Sequence, residues 1–474
     1  MKKLYSALVV SLLFFTSQAQ IINIPDANFK ARLLAASPSN TIASNNFNAY
    51  IKIDTNDNNE IEVSEALQVK SLDVSVANIY SMTGIEAFTT LRTLDCSQNH
   101  IAALDVSTLT NLKSLYCSLN LLSSLNLSGL THLLNLECAE NVLTQLDFAD
   151  AVTIQTLSCR FNFLTTLAVN ELPQLTSLNC DYNQLTTLPV NNLTLLTNLA
   201  CQSNQFQTLD LSSLVTLTNL NCSFNQLTSL DLTGFDALTT LNCSHNQITA
   251  LDLSSVTNLT LLNCEYNQIN TPFVLSGMTT LQSVYCHDNL IPSFHFTDLP
   301  SLEILDCSYN QTTTVDVSTL PMLSLINCHD NLQLIYLNIK NGNNEAFLDF
   351  SNNPNLLTIC ADEGQLTTIE DLITQYGYTN CEVNTLCNLA TPDLAVAPSF
   401  RVYPNPAKSK LQWEIQTGLS VKSISIYTLL GQKVVWVPNA ENVSALEVGD
   451  LKTGTYFIII TTDKGTVNTK FSKE

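Results

Sequence analysis

The chain has 474 residues and a formal charge of −22, with 13% charged and 45% hydrophobic residues. The acids are unevenly placed: 400–474 hold six Asp and Glu against nine Lys and Arg, whereas 20–399 hold 35 against eight. Such an acid excess repels phosphate backbones, so nucleic acid is excluded as a partner, while cations, basic partners and neutral glycans stay open.

Residues 1–19 read as a secretory signal. Lys2 and Lys3 supply the positive start, Leu8 to Phe15 the apolar core, and Ser17-Gln18-Ala19 the small-residue cleavage site. The run is too short to be kept as a membrane span. No later run qualifies, because polar residues interrupt the leucines, so no transmembrane segment is expected. Residues 20–68 predict an N-terminal cap, with a helix opening at Pro25-Asp26 and continuing through Leu34.

Within the cap, Asp54, Asn56, Asn58, Glu60, Glu62 and Glu65 fall at positions one, three, five, seven, nine and twelve of a calcium-loop spacing. Glu60 would contribute its carbonyl, and Ile61 takes the apolar eighth position. The stretch resembles an EF-hand or dockerin-like loop, with Asn59 where the sixth-position glycine normally stands. The resemblance implies a structural calcium ion held with modest affinity. The plainer reading is an acidic turn that serves the cap without metal.

Val69 to Thr90 is a first coil without cysteine, and Leu91 to Cys328 then repeats one pattern twelve times. Cys96, Cys117, Cys138, Cys159, Cys180, Cys201, Cys222, Cys243 and Cys264 fall 21 residues apart. One extra residue precedes Cys286, after which Cys307 and Cys328 resume the step. An Asn follows each cysteine by three residues, from Asn99 to Asn331. Leu91-Arg92-Thr93-Leu94-Asp95-Cys96 places apolar side chains on one face of a short strand. A coil this short cannot bury that face alone, so coils must stack, the Asn amides satisfying backbone groups between them.

The pattern resembles the bacterial 21-residue class of leucine-rich repeats. It implies a β-rich solenoid over 69–358, a right-handed superhelix with N- and C-terminal caps. Each cysteine replaces an inward Leu. Stacked strands lie about 4.8 Å apart, longer than the roughly 3.5–4.5 Å between the Cβ atoms of a disulfide, so a buried ladder of free thiols is expected. Zinc is disfavoured because the ligands would form a line. After Cys328 the pattern degrades, with Phe350 in the cysteine slot and Asn353-Pro354-Asn355 breaking the spacing. Residues 359–390 read as the C-terminal cap, with a helix over Ile369 to Tyr376. Of Cys360, Cys381 and Cys387, the expected bridge is Cys360–Cys381.

Thr391 to Ser399 is a linker by its prolines and small residues. Residues 400–474 show short β runs at Leu411–Ile415, Lys422–Tyr427, Lys433–Val437 and Thr455–Thr461, as in a small β-sandwich. Val402-Tyr403-Pro404-Asn405-Pro406-Ala407, Ile424-Ser425-Ile426-Tyr427, Gly431-Gln432-Lys433-Val434, Gly454-Thr455-Tyr456 and Lys470-Phe471-Ser472-Lys473 follow in order. Together they resemble the type A C-terminal sorting domain of type IX secretion in the Bacteroidetes. The resemblance implies passage across the outer membrane by that machinery, removal of the domain, and release or attachment at the cell surface.

The histidines are scattered, and no His-Glu-x-x-His, Gly-x-Ser-x-Gly, phosphate loop or dinucleotide fingerprint occurs. An enzyme is therefore not expected. Two residues after successive cysteines stand Phe161, Tyr182, Phe224, His245, Tyr266 and Tyr309, which stacking would align as a broken aromatic stripe along the concave sheet. Rigidly held aromatics give contact area at low entropic cost; the competing reading is that they shield the core. The expected function is a secreted or cell-surface leucine-rich repeat protein that binds a protein or glycan. The alternative is a passive envelope or matrix component.

Overall fold

The computed structural model describes residues 20–387 except 149, and residues 401–474 except 415–419, 429–432, 439, 441–442 and 463–464. The signal (1–19) and the linker (391–399) lie outside the described residues. The chain divides into two units, one ending at Cys387 and one beginning at Asn388, each with its own apolar core.

The first unit is the solenoid. Each coil gives one three-residue strand, from Ser71–Asp73 and Thr93–Asp95 through to Phe347–Asp349, and these pair in parallel in chain order. Ala43–Ser44 of the N-terminal cap closes one end antiparallel, giving a sheet of 15 strands among the described residues. From Ser71–Asp73 to Leu325–Asn327 the middle residue of each strand is buried while its neighbours face outward, as in Thr93-Leu94-Asp95 and Asn219-Leu220-Asn221. Because every coil places its apolar residue at the same point, register is fixed residue on residue: Leu94 pairs with Leu115, and Leu220 with Leu241. A slip of one residue would turn each of these side chains to solvent.

The residue inserted before Cys286 leaves this register intact, since Leu262 still pairs with Val284. It is absorbed on the other side of the coil, where Phe273–Ser276 pairs with Phe294–Thr297. Further along that side Thr314–Asp316, Tyr336–Asn338, Thr358–Cys360 and the cap strand Glu382–Asn384 build a four-stranded sheet.

The cysteines lie inside the stack. Cys96 to Cys328 are free and fully buried in all twelve coils. Beside them runs an asparagine ladder. Asn225 Nδ2 donates to the carbonyls of Cys201, Cys222 and Ser223, each at 3.1 Å, and its Oδ1 accepts from Phe206 N–H at 3.1 Å. One side chain thus satisfies backbone groups of two coils that would otherwise be buried unpaired. The ladder does not stop where the sequence pattern degrades. Asn353 donates to Cys328 O at 3.1 Å and Phe350 O at 2.8 Å, so Asn353-Pro354-Asn355 preserves a further rung.

Both ends are capped. Asp26 Oδ1 accepts from Asn28 and Phe29 N–H at the start of the helix Ala27–Leu34, and its Oδ2 accepts from Tyr80 and Ser81 N–H of the first coil. One carboxylate therefore starts the helix and ties it to the stack. At the far end the helix Leu366–Tyr376 buries Ile369 and Ile373 and stops at Gly377, whose φ of 77° suits a residue without Cβ.

The expected Cys360–Cys381 bridge is corrected: the disulfide joins Cys360 to Cys387, and Cys381 is free and half-buried. Strand register explains it. Cys360 pairs with Asn384, so Cys381 lies three residues up the strand, about 10 Å away. The turn after Asn384, with Cys387 at φ 48°, brings Cys387 back to a Cα–Cα distance of 5.1 Å.

The second unit has two antiparallel sheets. Arg401–Tyr403, Lys410–Glu414 and Ala445–Glu447 form one; Lys433–Pro438, Val421–Thr428, Gly454–Thr462 and Gly465–Lys473 form the other. Leu411, Trp413, Ile424, Ile426, Ile458, Ile460 and Phe471 make a common core. Among the described residues no helix is long and apolar enough to cross a membrane.

Candidate binding surface

Two residues after each cysteine the chain turns away from the strand through a left-handed residue. Phe161, Tyr182, Phe224, His245, Tyr266 and Tyr309 all adopt φ between 51° and 53°. That conformation costs a bulky L-residue roughly 1–2 kcal/mol. It is held because each N–H bonds to the next coil, as in Tyr182 N to Gln202 O and Phe224 N to Ser244 O, both at 3.0 Å. Asn suits this slot with less strain and occupies it in the last coil at Asn352.

The rings form two stacks rather than one stripe. Phe161 and Tyr182 lie 4.2 Å apart between centroids and 7° from parallel. Phe224, His245 and Tyr266 follow at 4.0 and 4.3 Å, tilted by 14° and 12°. Tyr309 stands apart from both, meeting His329 edge-on at 4.8 Å. The rings are not folded over the core: Phe161, Tyr182, Phe224, Tyr266 and Tyr309 are all between 39% and 51% exposed.

Several residues of this rim were not singled out in the sequence. Leu119, Leu121, Val142 and Phe163 are exposed on the same turns and widen it into an apolar patch. Leu119 stands in the ring column itself, and the signal of the other three was the column just after each Asn, apolar in these coils and mostly Gln in later ones. Charged groups border the rings. Glu140 pairs with Arg160 at 3.3 Å, and Arg160 lies over the Phe161 ring at 5.5 Å. Burial pushes the Asp181 pKa up to about 6. His287 bridges Glu265 at 2.7 Å and Asp288 at 2.8 Å. Burial opposes its protonation, but Asp288, Asp306 and Glu265 outweigh it and hold its pKa above the ordinary histidine value.

The calcium-like loop lies in the N-terminal cap. Asp54, Glu62 and Glu65 are buried, at 3–6% exposure, and Asn59 takes φ 60°, the turn that the sixth position of such a loop requires. Their oxygens bond within the loop: Asp54 accepts from Asn58 and Asn59 N–H, Glu65 from Thr55 N–H and Oγ1, and Glu62 from the Asn56 and Asn58 amides. Hydrogen bonding with Glu65 and then with Asn58 holds Glu62 below the usual carboxylate range. The Glu60 side chain turns away to Lys30 at 2.7 Å. Among the described residues no group of three or more His, Cys, Asp or Glu side chains is gathered closely enough to hold a metal ion as they stand.

Comparison with known proteins agrees with this architecture. Residues 401–474 match the family described as Secretion system C-terminal sorting domain. No curated protein sequence matches the chain. Among solved structures it is similar to the functional domain of InlJ from Listeria monocytogenes, which includes a cysteine ladder. The identity is 25% over 96% of this chain and 99% of that one, with a TM-score of 0.56. An internalin of the same organism is 21% identical over 67% of this chain and 99% of that one, at a TM-score of 0.49. YopM from Yersinia enterocolitica is 24% identical over 57% of each chain, at 0.46. A leucine-rich-repeat solenoid with a thiol ladder inside, followed by a type IX sorting domain at its C-terminal end, makes this a secreted or cell-surface leucine-rich repeat protein.

Proposed function

We propose that the solenoid is a recognition module and that its aromatic rim binds a protein or glycan at the cell surface. The observation that carries this reading is the rim itself: rings placed at a strained turn, half exposed and stacked on one another, where Asn would fold with less strain. Stacking fixes the rings before any partner arrives, which lowers the entropy lost on binding. The role is non-catalytic, because the repeated turns spread their groups along a line instead of clustering a nucleophile with a base.

The test is capture of glycans and envelope extracts on the immobilised chain. Replacing Tyr182, Phe224 and Tyr266 together by Ala is expected to weaken saturable binding by at least about tenfold. The melting midpoint should stay nearly constant, since these rings lie outside the core. A featureless response from the unaltered chain would favour the passive envelope role.

The cap loop supports a second element of the proposal, a structural calcium ion held by Asp54, Asn56, Asn58, the Glu60 carbonyl, Glu62 and Glu65. Supporting it are the twelve-residue spacing, the Asn59 turn and the burial of Asp54, Glu62 and Glu65 in one loop. An ion held there would neutralise the carboxylates and fasten the cap. Free calcium a hundredfold above its Kd should stabilise the cap by about 2.7 kcal/mol. A chelator is therefore expected to lower the melting midpoint. If it leaves the midpoint where it was, the loop is a plain acidic turn.

A further inference from the structure

We infer that the gap at Ser203, between the two ring stacks, is a slot for one planar aromatic side chain of a partner protein. The inference rests on the reading of the rim as a binding surface and names what that surface grips.

The backbone runs through the gap unchanged. Ser203 adopts φ 53°, as Phe224 does, and its N–H donates to Ser223 O at 3.0 Å, as those of its ring-bearing counterparts do to their next coils. Only the ring is missing. Tyr182 and Phe224 stand two strand spacings apart, about 9.6 Å. Neighbouring rings along the rim stack at 4.0–4.3 Å. One inserted ring therefore meets Tyr182 on one face and Phe224 on the other at close to the native step. Inside each stack the ring faces are covered by neighbours, so the faces that bound this gap are open to an incoming group. Phe224 is the most exposed ring of the rim, at 51%.

The second interruption, at Asp288, is closed to such a group. Its carboxylate is bonded to His287 Nδ1 at 2.8 Å and to the Tyr266 side chain. Ser203 brings neither charge nor bulk.

The surroundings favour a protein side chain. Gln202, at the floor, has its Oε1 held by Asn221 Nδ2 at 2.8 Å and Ser223 Oγ at 3.3 Å, while its N–H donates to the Asp181 carboxylate at 2.8 Å. The slot thus has apolar walls, a tied polar floor and an acid beside it, in a segment with 35 acids and eight bases. A Trp or Tyr on a basic stretch of a partner matches both features. A nucleobase matches only the flat shape, because its phosphate would be repelled.

The test titrates the full chain with fluorinated N-acetyltryptophanamide, followed by fluorine NMR. Saturable line broadening is expected, weakened about tenfold by Tyr182→Ala or Phe224→Ala. Ser203→Phe should abolish it, filling the slot with a ring that Phe161 and Phe224 already carry on the same backbone. Gln98→Phe, which adds a ring elsewhere on the rim, should leave it intact. No broadening with the unaltered chain, or broadening that survives Ser203→Phe, overturns the slot. Adenosine monophosphate displacing the probe more effectively than unlabelled N-acetyltryptophanamide overturns the assignment to a protein side chain. Envelope capture that survives Ser203→Phe but is lost in the triple alanine variant overturns the slot and leaves the surface reading intact. Capture that survives both overturns the surface itself.

Discussion

Raising the pH from 8 to 10 under reducing conditions should unfold the solenoid in a steep step. The cause is the thiol ladder. Burial pushes Cys138 and Cys222 up to about 12, and their ten companions higher still, with adjacent thiols adding to the effect in alternate rungs such as Cys117, Cys159 and Cys243. An exposed thiol ionises near 8.5. Below that value folded and unfolded chains both keep the protons, and the ladder's contribution to stability is whole. Above it the unfolded chain releases protons that the folded chain retains, and stability falls until the folded thiols ionise as well. Each thiol then removes about 1.36 kcal/mol per pH unit. Twelve unfolding together would remove on the order of 16 kcal/mol per unit, and a third of the ladder still about 5. Chemical denaturation at pH 7, 9 and 10 reads this directly. A midpoint that stays flat from pH 8 to 10 would refute the buried ladder. Exchanging half of the rungs for Val should halve the slope.

Asn225→Ala should destabilise the central coils by about 3–5 kcal/mol, a loss far above that of a typical substitution. The side chain makes three donor bonds and accepts one, joining two adjacent coils. Each bond contributes about 0.5–1.5 kcal/mol net, and each backbone group left buried and unpaired adds to the loss. Asn225→Asp should be at least as damaging although it is nearly isosteric, because it sets a carboxylate against three carbonyls that need a donor. Hydrogen exchange would locate the damage in the coils around Cys222, since each coil contacts only its neighbours. A loss under 1 kcal/mol for both variants would show that the ladder is ornamental.

The two ladders account for the order of the rim. Cysteine leaves room for tight stacking, Asn clamps the turn, and the residue just before the Asn is forced to the left-handed conformation with its side chain at the surface. Rings in that slot inherit the spacing of the strands, so the backbone sets the geometry of the proposed recognition surface before any ring–ring contact forms. The Ser203 slot follows from the same regularity, because a gap is defined only where its flanks are fixed.

The sequence alone determined the repeat, the inward thiols, the asparagine ladder and the sorting domain, because each depends on local spacing multiplied over copies or motifs. Leu94 and Cys96 must face inward in any parallel stack, and a copying period of 21 residues leaves no other register. The three-dimensional fold decided what depends on the path between copies. Which partner Cys360 takes was settled by the turn after Asn384, which carries Cys387 back past the nearer-in-sequence Cys381. The aromatic stripe and its break at Ser203 were legible as a column of residues, but the way the rings meet was not. Parallel stacking on either side of Ser203 and the edge-on contact of Tyr309 with His329 depend on ring tilt, which leaves no mark in a one-dimensional pattern. Contacts repeated identically in every coil can be read from the chain; those that differ from one coil to the next must wait for the stack to form.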